Sequence, residues 1–175
     1  MRMVPKLMAL RSACILYESL SGNTAQLSMF IHQILEYDGA HVKRMPLQSF
    51  LDLSIADAEE VIQQYESLFI GTYTDDAHLP PEPVEELMET YAFPDKQIAA
   101  FGTGDTQWGE TYCLAAHTVA KHYQSPYPVL EIEQMPARSD EKKIDNWLEA
   151  IDNEQTHGKS SDYGPGKSGA VHRHY

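Results

Sequence analysis

Apolar residues along this chain fall into two alternating patterns. Short unbroken runs, such as Ala-Cys-Ile-Leu-Tyr at 13–17, give way to stretches spaced i, i+3, i+4, i+7, such as Leu27, Phe30, Ile31, Ile34 and Leu35. An unbroken run suits a strand buried on both faces, and the spaced pattern puts one apolar stripe on a helix. Strands are predicted at 13–17, 41–45, 67–72, 97–101 and 129–132. Further helical stripes are Ile55, Ala58, Val61, Ile62, Tyr65; Val84, Leu87, Met88, Tyr91; Tyr112, Ala115, Ala116, Val119, Tyr123; and Ile144, Trp147, Leu148, Ile151. Gly39 suits a helix stop, Ser54 and Ser139 suit N-caps, and Pro80-Pro81 suits a helix start. Residues 1–12 read as a short leader and 13–152 as one domain. From 153 the periodicity disappears, so 153–175 is expected to be a disordered tail.

Five strands alternating with helices predict an α/β fold with a parallel sheet covered on both faces. Three irregular polar loops, starting at Glu18, Tyr73 and Gly102, each follow a strand. They therefore gather at the carboxyl edge of the sheet, where open α/β sheets bind ligands.

The first loop has the chemistry of an anion site. A helix N-terminus presents unpaired N–H groups and the positive end of its dipole. Ser19, Ser21 and Thr24 add hydroxyls, and Gly22 lets the backbone come close. With no lysine it is not a nucleoside-triphosphate loop, and it lacks the G-x-G-x-x-G fingerprint. Alone it would be an ordinary N-cap; the two other loops at the same edge raise it above that.

Charge narrows the partners. With 26 acidic against 13 basic residues, the net charge of −13 opposes nucleic acid and favours basic protein surfaces. No run is long enough to span a bilayer, and the first ten residues lack the apolar core of a signal peptide. Cys14 and Cys113 have no metal-ligand spacing, so a cytoplasmic protein with reduced thiols is expected. His32, His41, His117 and His122 form no ligand cluster. Asp75, Asp76 and His78 read as a solvated acidic loop rather than a cation site. Ser19 lacks a nucleophile elbow, and Lys159, Lys167 and Arg173 are too sparse for nucleic acid.

With the loops placed, the chain resembles the flavodoxin family from about 13 to 151. Ser19-Leu20-Ser21-Gly22-Asn23-Thr24 resembles its phosphate loop, and Gly71-Thr72-Tyr73-Thr74 its second loop. Gly102-Thr103-Gly104-Asp105-Thr106-Gln107-Trp108 resembles its third. The resemblance implies a three-layer sandwich with strand order 2-1-3-4-5 and bound FMN. It further implies phosphate binding by 19–24, flavin contacts from Thr72, Tyr73, Thr74, Asp75, Gly102, Thr103, Gly104, Asp105 and Tyr112, and stacking by Trp108. The second loop departs at 75–78: the family's tryptophan is missing, leaving Tyr73, His78 or Leu79 to cover that flavin face. Asp76 replaces a glycine that faces the flavin, and Glu18 stands where a small residue is usual. Asp75, Asp76, Asp105 and Glu110 would surround the ring with negative charge and lower its potential.

The function expected from this resemblance is a low-potential electron carrier working between a flavodoxin or ferredoxin reductase and acceptor enzymes. An alternative within the family is the flavodoxin-like activator of manganese ribonucleotide reductase, suggested by Gly-Glu-Thr-Tyr-Cys-Leu-Ala-Ala at 109–116. Against it stand Gly104-Asp105, where that activator usually has Gly-Asn, and the full helix at 55–65. A flavin-free scaffold on the same fold is the rival from another class.

Overall fold

The computed structural model describes residues 4–75 and 77–161, apart from the side chains of Trp108, Glu110, Thr111 and 158–161. The apolar runs form one parallel sheet of β1 (Ser12–Tyr17), β2 (His41–Pro46), β3 (Ser67–Tyr73), β4 (Gln97–Gly104) and β5 (Leu130–Glu133). Their order, β2-β1-β3-β4-β5, is the one the family resemblance implies. Successive side chains of a strand point to opposite faces, so the sheet feeds two separate apolar layers. Ile15, Phe69 and Phe101 meet α1 (Asn23–Tyr37) and α6 (Glu141–Ser161) through Leu27, Ile31, Trp147 and Ile151. Leu16, Leu68 and Ile70 face the other way. That layer is closed by α2 (Leu47–Leu51), α3 (Ile55–Gln63), α4 (Glu82–Thr90) and α5 (Leu114–His122).

Gly71 shows how tightly the sheet is filled. A methyl group there would fall inside the ring of Phe101, which is fully buried and packs edge-on against Trp147. Gly71→Ala is therefore expected to cost about 2–3 kcal/mol by overpacking. Urea denaturation checks this, and a cost near zero would mean that the ring has room to move.

The ends of the chain differ from the sequence reading. Leu7, Ala9 and Leu10, assigned to a leader, are buried. The amides of Lys6 and Leu7 donate to the Asp38 carboxylate at 2.7 and 3.0 Å. Those of Met8, Ala9 and Leu10 donate to Asp152 at 3.1, 2.6 and 2.8 Å. Burial pushes the Asp38 carboxyl up, but these amides and the Arg11 guanidinium outweigh it and hold it below the usual carboxylate range. At the other end α6 runs past 152 to Ser161, so 153–161 is helix rather than tail, and 162–175 lies outside the described residues. Here polar groups are the anchors: Gln155 is buried, and its Nε2 donates to Ser67 Oγ at 3.0 Å. The third loop also begins later than expected, because Gly102, Thr103 and Gly104 are still paired within β4. Among the described residues, no helix is long and apolar enough to cross a membrane.

Candidate functional site

The first loop is shaped by Ser19 and Gly22. Ser19 Oγ accepts from the amides of Gly22 and Ala25 at 3.2 and 3.1 Å, drawing the loop over the start of α1. Gly22 caps that helix with φ 96°, a conformation that costs glycine little and other residues more. The amides of Ser21, Asn23 and Thr24 are bonded to no other described residue, as helix starts require unless a ligand meets them. Thr24 is buried, and its hydroxyl shares a 2.8 Å hydrogen bond with Thr103 Oγ1, joining the first loop to β4. One proton of that hydroxyl pair remains available to donate. Glu18 is half-buried beside the loop, and burial raises its carboxyl above the usual range.

The second loop folds around its own side chains. Thr72 is buried, and its hydroxyl donates to the Tyr73 carbonyl. Thr74 Oγ1 accepts from the Ala115 amide at 3.0 Å, within the first turn of α5. Asp75 Oδ1 accepts from the amides of Ala77 and Leu79, both at 2.9 Å. Its carboxylate therefore holds a tight turn in which His78 sits at φ 64°. Burial, with the charges of Glu18 and Asp75, pushes the Tyr73 hydroxyl up. Asp76 lies outside the described residues.

The third loop leaves β4 at Asp105, whose Oδ1 accepts from the Gln107 amide at 3.0 Å. Its Oδ2 accepts from the Nε2 groups of Gln107 and Gln134 at 3.0 and 3.2 Å. A 3-10 turn over Thr106–Thr111 follows, kinked at Gly109. It carries the backbone of Trp108, whose side chain is not among those described. Gly102 lets α5 approach: a Cβ there would stand 2.9 Å from Ala116 Cβ. Tyr112 packs against Gly104, where a Cβ would be 3.2 Å from Tyr112 Cδ1. Burial, then neighbouring Cys113, raises the Tyr112 hydroxyl. Burial also pushes the thiols of Cys14 and Cys113 up to about 12, so neither offers a thiolate for redox work near neutral pH.

These loops border an open cavity of about 300 Å³. It brings together Ser19, Leu20, Ser21, Asn23 and Thr24 with Tyr73 and Thr74, and with Thr103, Gly104 and Asp105. Gly22, Thr72, Asp75, Gly102 and Tyr112 do not line it; they shape the loops or pack behind them. Gln134, just past β5, does line it and was missed. An exposed glutamine after an edge strand carries no periodic or motif signal. A larger groove of about 790 Å³ between α1 and α6, walled by Phe30, Ile34 and Leu148, shares no residue with the three loops. Among the described residues, no group of His, Cys, Asp and Glu is arranged to hold a metal.

Residues 15–146 match the model of a family described as NrdI Flavodoxin like. Among solved structures, oxidised flavodoxin 2 from Bacillus cereus is 26% identical, with a TM-score of 0.65, covering 82% of this chain and 99% of its own. Oxidised flavodoxin 1 from the same organism is 19% identical, with a TM-score of 0.65, over 80% of this chain and 96% of its own. The rubredoxin oxygen:oxidoreductase of Desulfovibrio gigas is 14% identical with a TM-score of 0.69, matching 90% of this chain but 38% of its own. No curated protein sequence matches the chain.

Proposed function

Since the chain belongs to the NrdI flavodoxin-like family, we propose that it binds FMN at the carboxyl edge of its sheet and delivers electrons to a protein acceptor. The observation that carries this is the span of the family match, 15–146, which takes in all three loops around the cavity. The residues fit the cofactor's phosphate: the amides of Ser21, Asn23 and Thr24 are unbonded among the described residues, and Ser19, which accepts two amides, keeps its own O–H to donate. Tyr73, Thr74, Gly104 and Asp105 would border the ring. Bound FMN supplies one- and two-electron chemistry, while the protein binds it, orients it and sets its potential.

Within this reading, the family favours the activator of manganese ribonucleotide reductase over the general carrier. Asp105, which weighed against the activator, spends its carboxylate on Gln107 and Gln134. It serves there as a loop-folding residue, and an asparagine oxygen could accept the same Gln107 amide. The second reading, a low-potential carrier for several acceptors in the cytoplasm, draws on the chain's net charge of −13.

Adding FMN to the purified protein is expected to quench flavin fluorescence at one equivalent; a chain that takes up no FMN overturns the reading. Reduced, FMN-loaded protein is then offered a manganese-loaded reductase subunit, or an unrelated acceptor together with a flavodoxin reductase. Oxygen-dependent activation of the manganese subunit supports the activator. Turnover with the unrelated acceptor alone assigns the carrier.

A further inference from the structure

We infer that Gln134 is a fourth element of the flavin site, its carboxamide oxygen accepting a hydrogen bond from the ring's N3–H. The inference rests on the FMN reading above and adds a residue outside the three loops. Gln134 follows the edge strand β5 and takes φ 51°, a left-handed conformation that side chains normally oppose. Two bonds hold it there. Its amide donates to the Gly104 carbonyl at 2.7 Å, one step beyond the last β4–β5 pair. Its Nε2 donates to Asp105 Oδ2 at 3.2 Å.

The consequence is directional. The left-handed turn brings the side chain to the wall of the cavity, beside Gly104 and Asp105. Nε2 commits one of its two N–H groups to the Asp105 carboxylate, and Oε1, a pure acceptor, has no other partner among the described residues. Asp105 is likewise acceptor-only when ionised, and the Gly104 carbonyl already receives the Gln134 amide. This end of the cavity therefore offers oxygen lone pairs, and it suits a ligand edge that carries an N–H. An oxidised isoalloxazine ring has a single N–H, at N3. The hydroxyl-rich and amide-rich end, at Ser19 and α1, offers donors and suits the phosphate. Donor end and acceptor end thus orient the ligand along the cavity.

The test pairs two proteins with two ligands: the unsubstituted chain and Gln134→Leu, each titrated with FMN and with N3-methyl-FMN. Loss of one hydrogen bond predicts about fivefold to tenfold weaker FMN binding by Gln134→Leu. N3-methyl-FMN is expected to bind both proteins alike. A looser third loop, the structural alternative, would weaken both ligands equally, and that result overturns the inference. Gln134→Gly gives a second check, since glycine tolerates φ 51°. Its flavin-free form is expected to melt no lower than the unsubstituted chain, while FMN binding weakens. Unchanged FMN affinity in Gln134→Gly overturns the inference alone; failure of the unsubstituted chain to bind FMN overturns it together with the function above.

Discussion

Asp152→Ala is expected to destabilise the fold by about 3–5 kcal/mol, since each buried amide left without an acceptor costs about 1–3 kcal/mol. Asp152 is 6% exposed and accepts three consecutive amides, those of Met8, Ala9 and Leu10. Those amides come from an irregular segment with no ladder to join, and Ala9 and Leu10 are themselves buried. Alanine would leave their N–H groups without acceptors in a dry site and open space beneath them. Asp152→Asn should lose less, because one oxygen can still serve Ala9 and Leu10 while the amide nitrogen faces Met8 without an acceptor. Urea denaturation of both variants is the measurement. A cost below about 1 kcal/mol for alanine would mean that water or a shifted segment replaces the carboxylate.

Ser19→Asp is expected to leave the fold intact and weaken FMN binding by about 100-fold or more. Ser19 Oγ accepts from the amides of Gly22 and Ala25, and an aspartate oxygen is at least as good an acceptor at a helix start. Stability should move little. The added carboxylate, however, would stand beside a phosphate dianion. Like charges about 5 Å apart at an effective dielectric near 20 repel by about 3 kcal/mol per charge pair, more than two decades of affinity. Fluorescence titration gives the affinity and a melting curve gives the stability. An FMN affinity equal to the unsubstituted chain would remove the phosphate from this loop.

Periodicity made the sheet and most helices legible because both follow from burial, and burial leaves an apolar trace. The unbroken runs mark strands buried on both faces, and the structure divides them, with Ile15, Phe69 and Phe101 in one layer and Leu16, Leu68 and Ile70 in the other. What escaped is held by polar groups. Residues 7–10 are fixed by Asp38 and Asp152, and the last turns of α6 by Gln155 on Ser67. Such anchors look like surface residues until their partners are known. α2 escaped for another reason: it is five residues long and buries only Leu47 and Phe50, too little for a period to show.

The site was legible in the same uneven way. The 19–24 loop and the Thr103–Asp105 segment carry motif residues, and the structure brings both to one cavity. Asp75 and Asp105 were expected at the ring edge by charge; their carboxylates also fold their own loops, and of the two only Asp105 lines the cavity. Short acidic side chains compete for nearby amides, and this competition is invisible without the backbone. Gln134 needed the register of β5 against β4 before it could be noticed at all.

The grip of Asp152 on residues 8–10 also bears on the chain's birth. These partners stand 142 to 144 residues apart in sequence. During synthesis residues 8–10 leave the ribosome well before Asp152, and their amides must wait for it before they find acceptors. β1 can pair with β2 and β3 in the meantime, but the segment leading into β1 stays open, and apolar Leu7 and Leu10 stay exposed with it. The finished fold is thus sealed only once Asp152 has emerged, and the interval before sealing is when a nascent chain of this design needs protection from its neighbours.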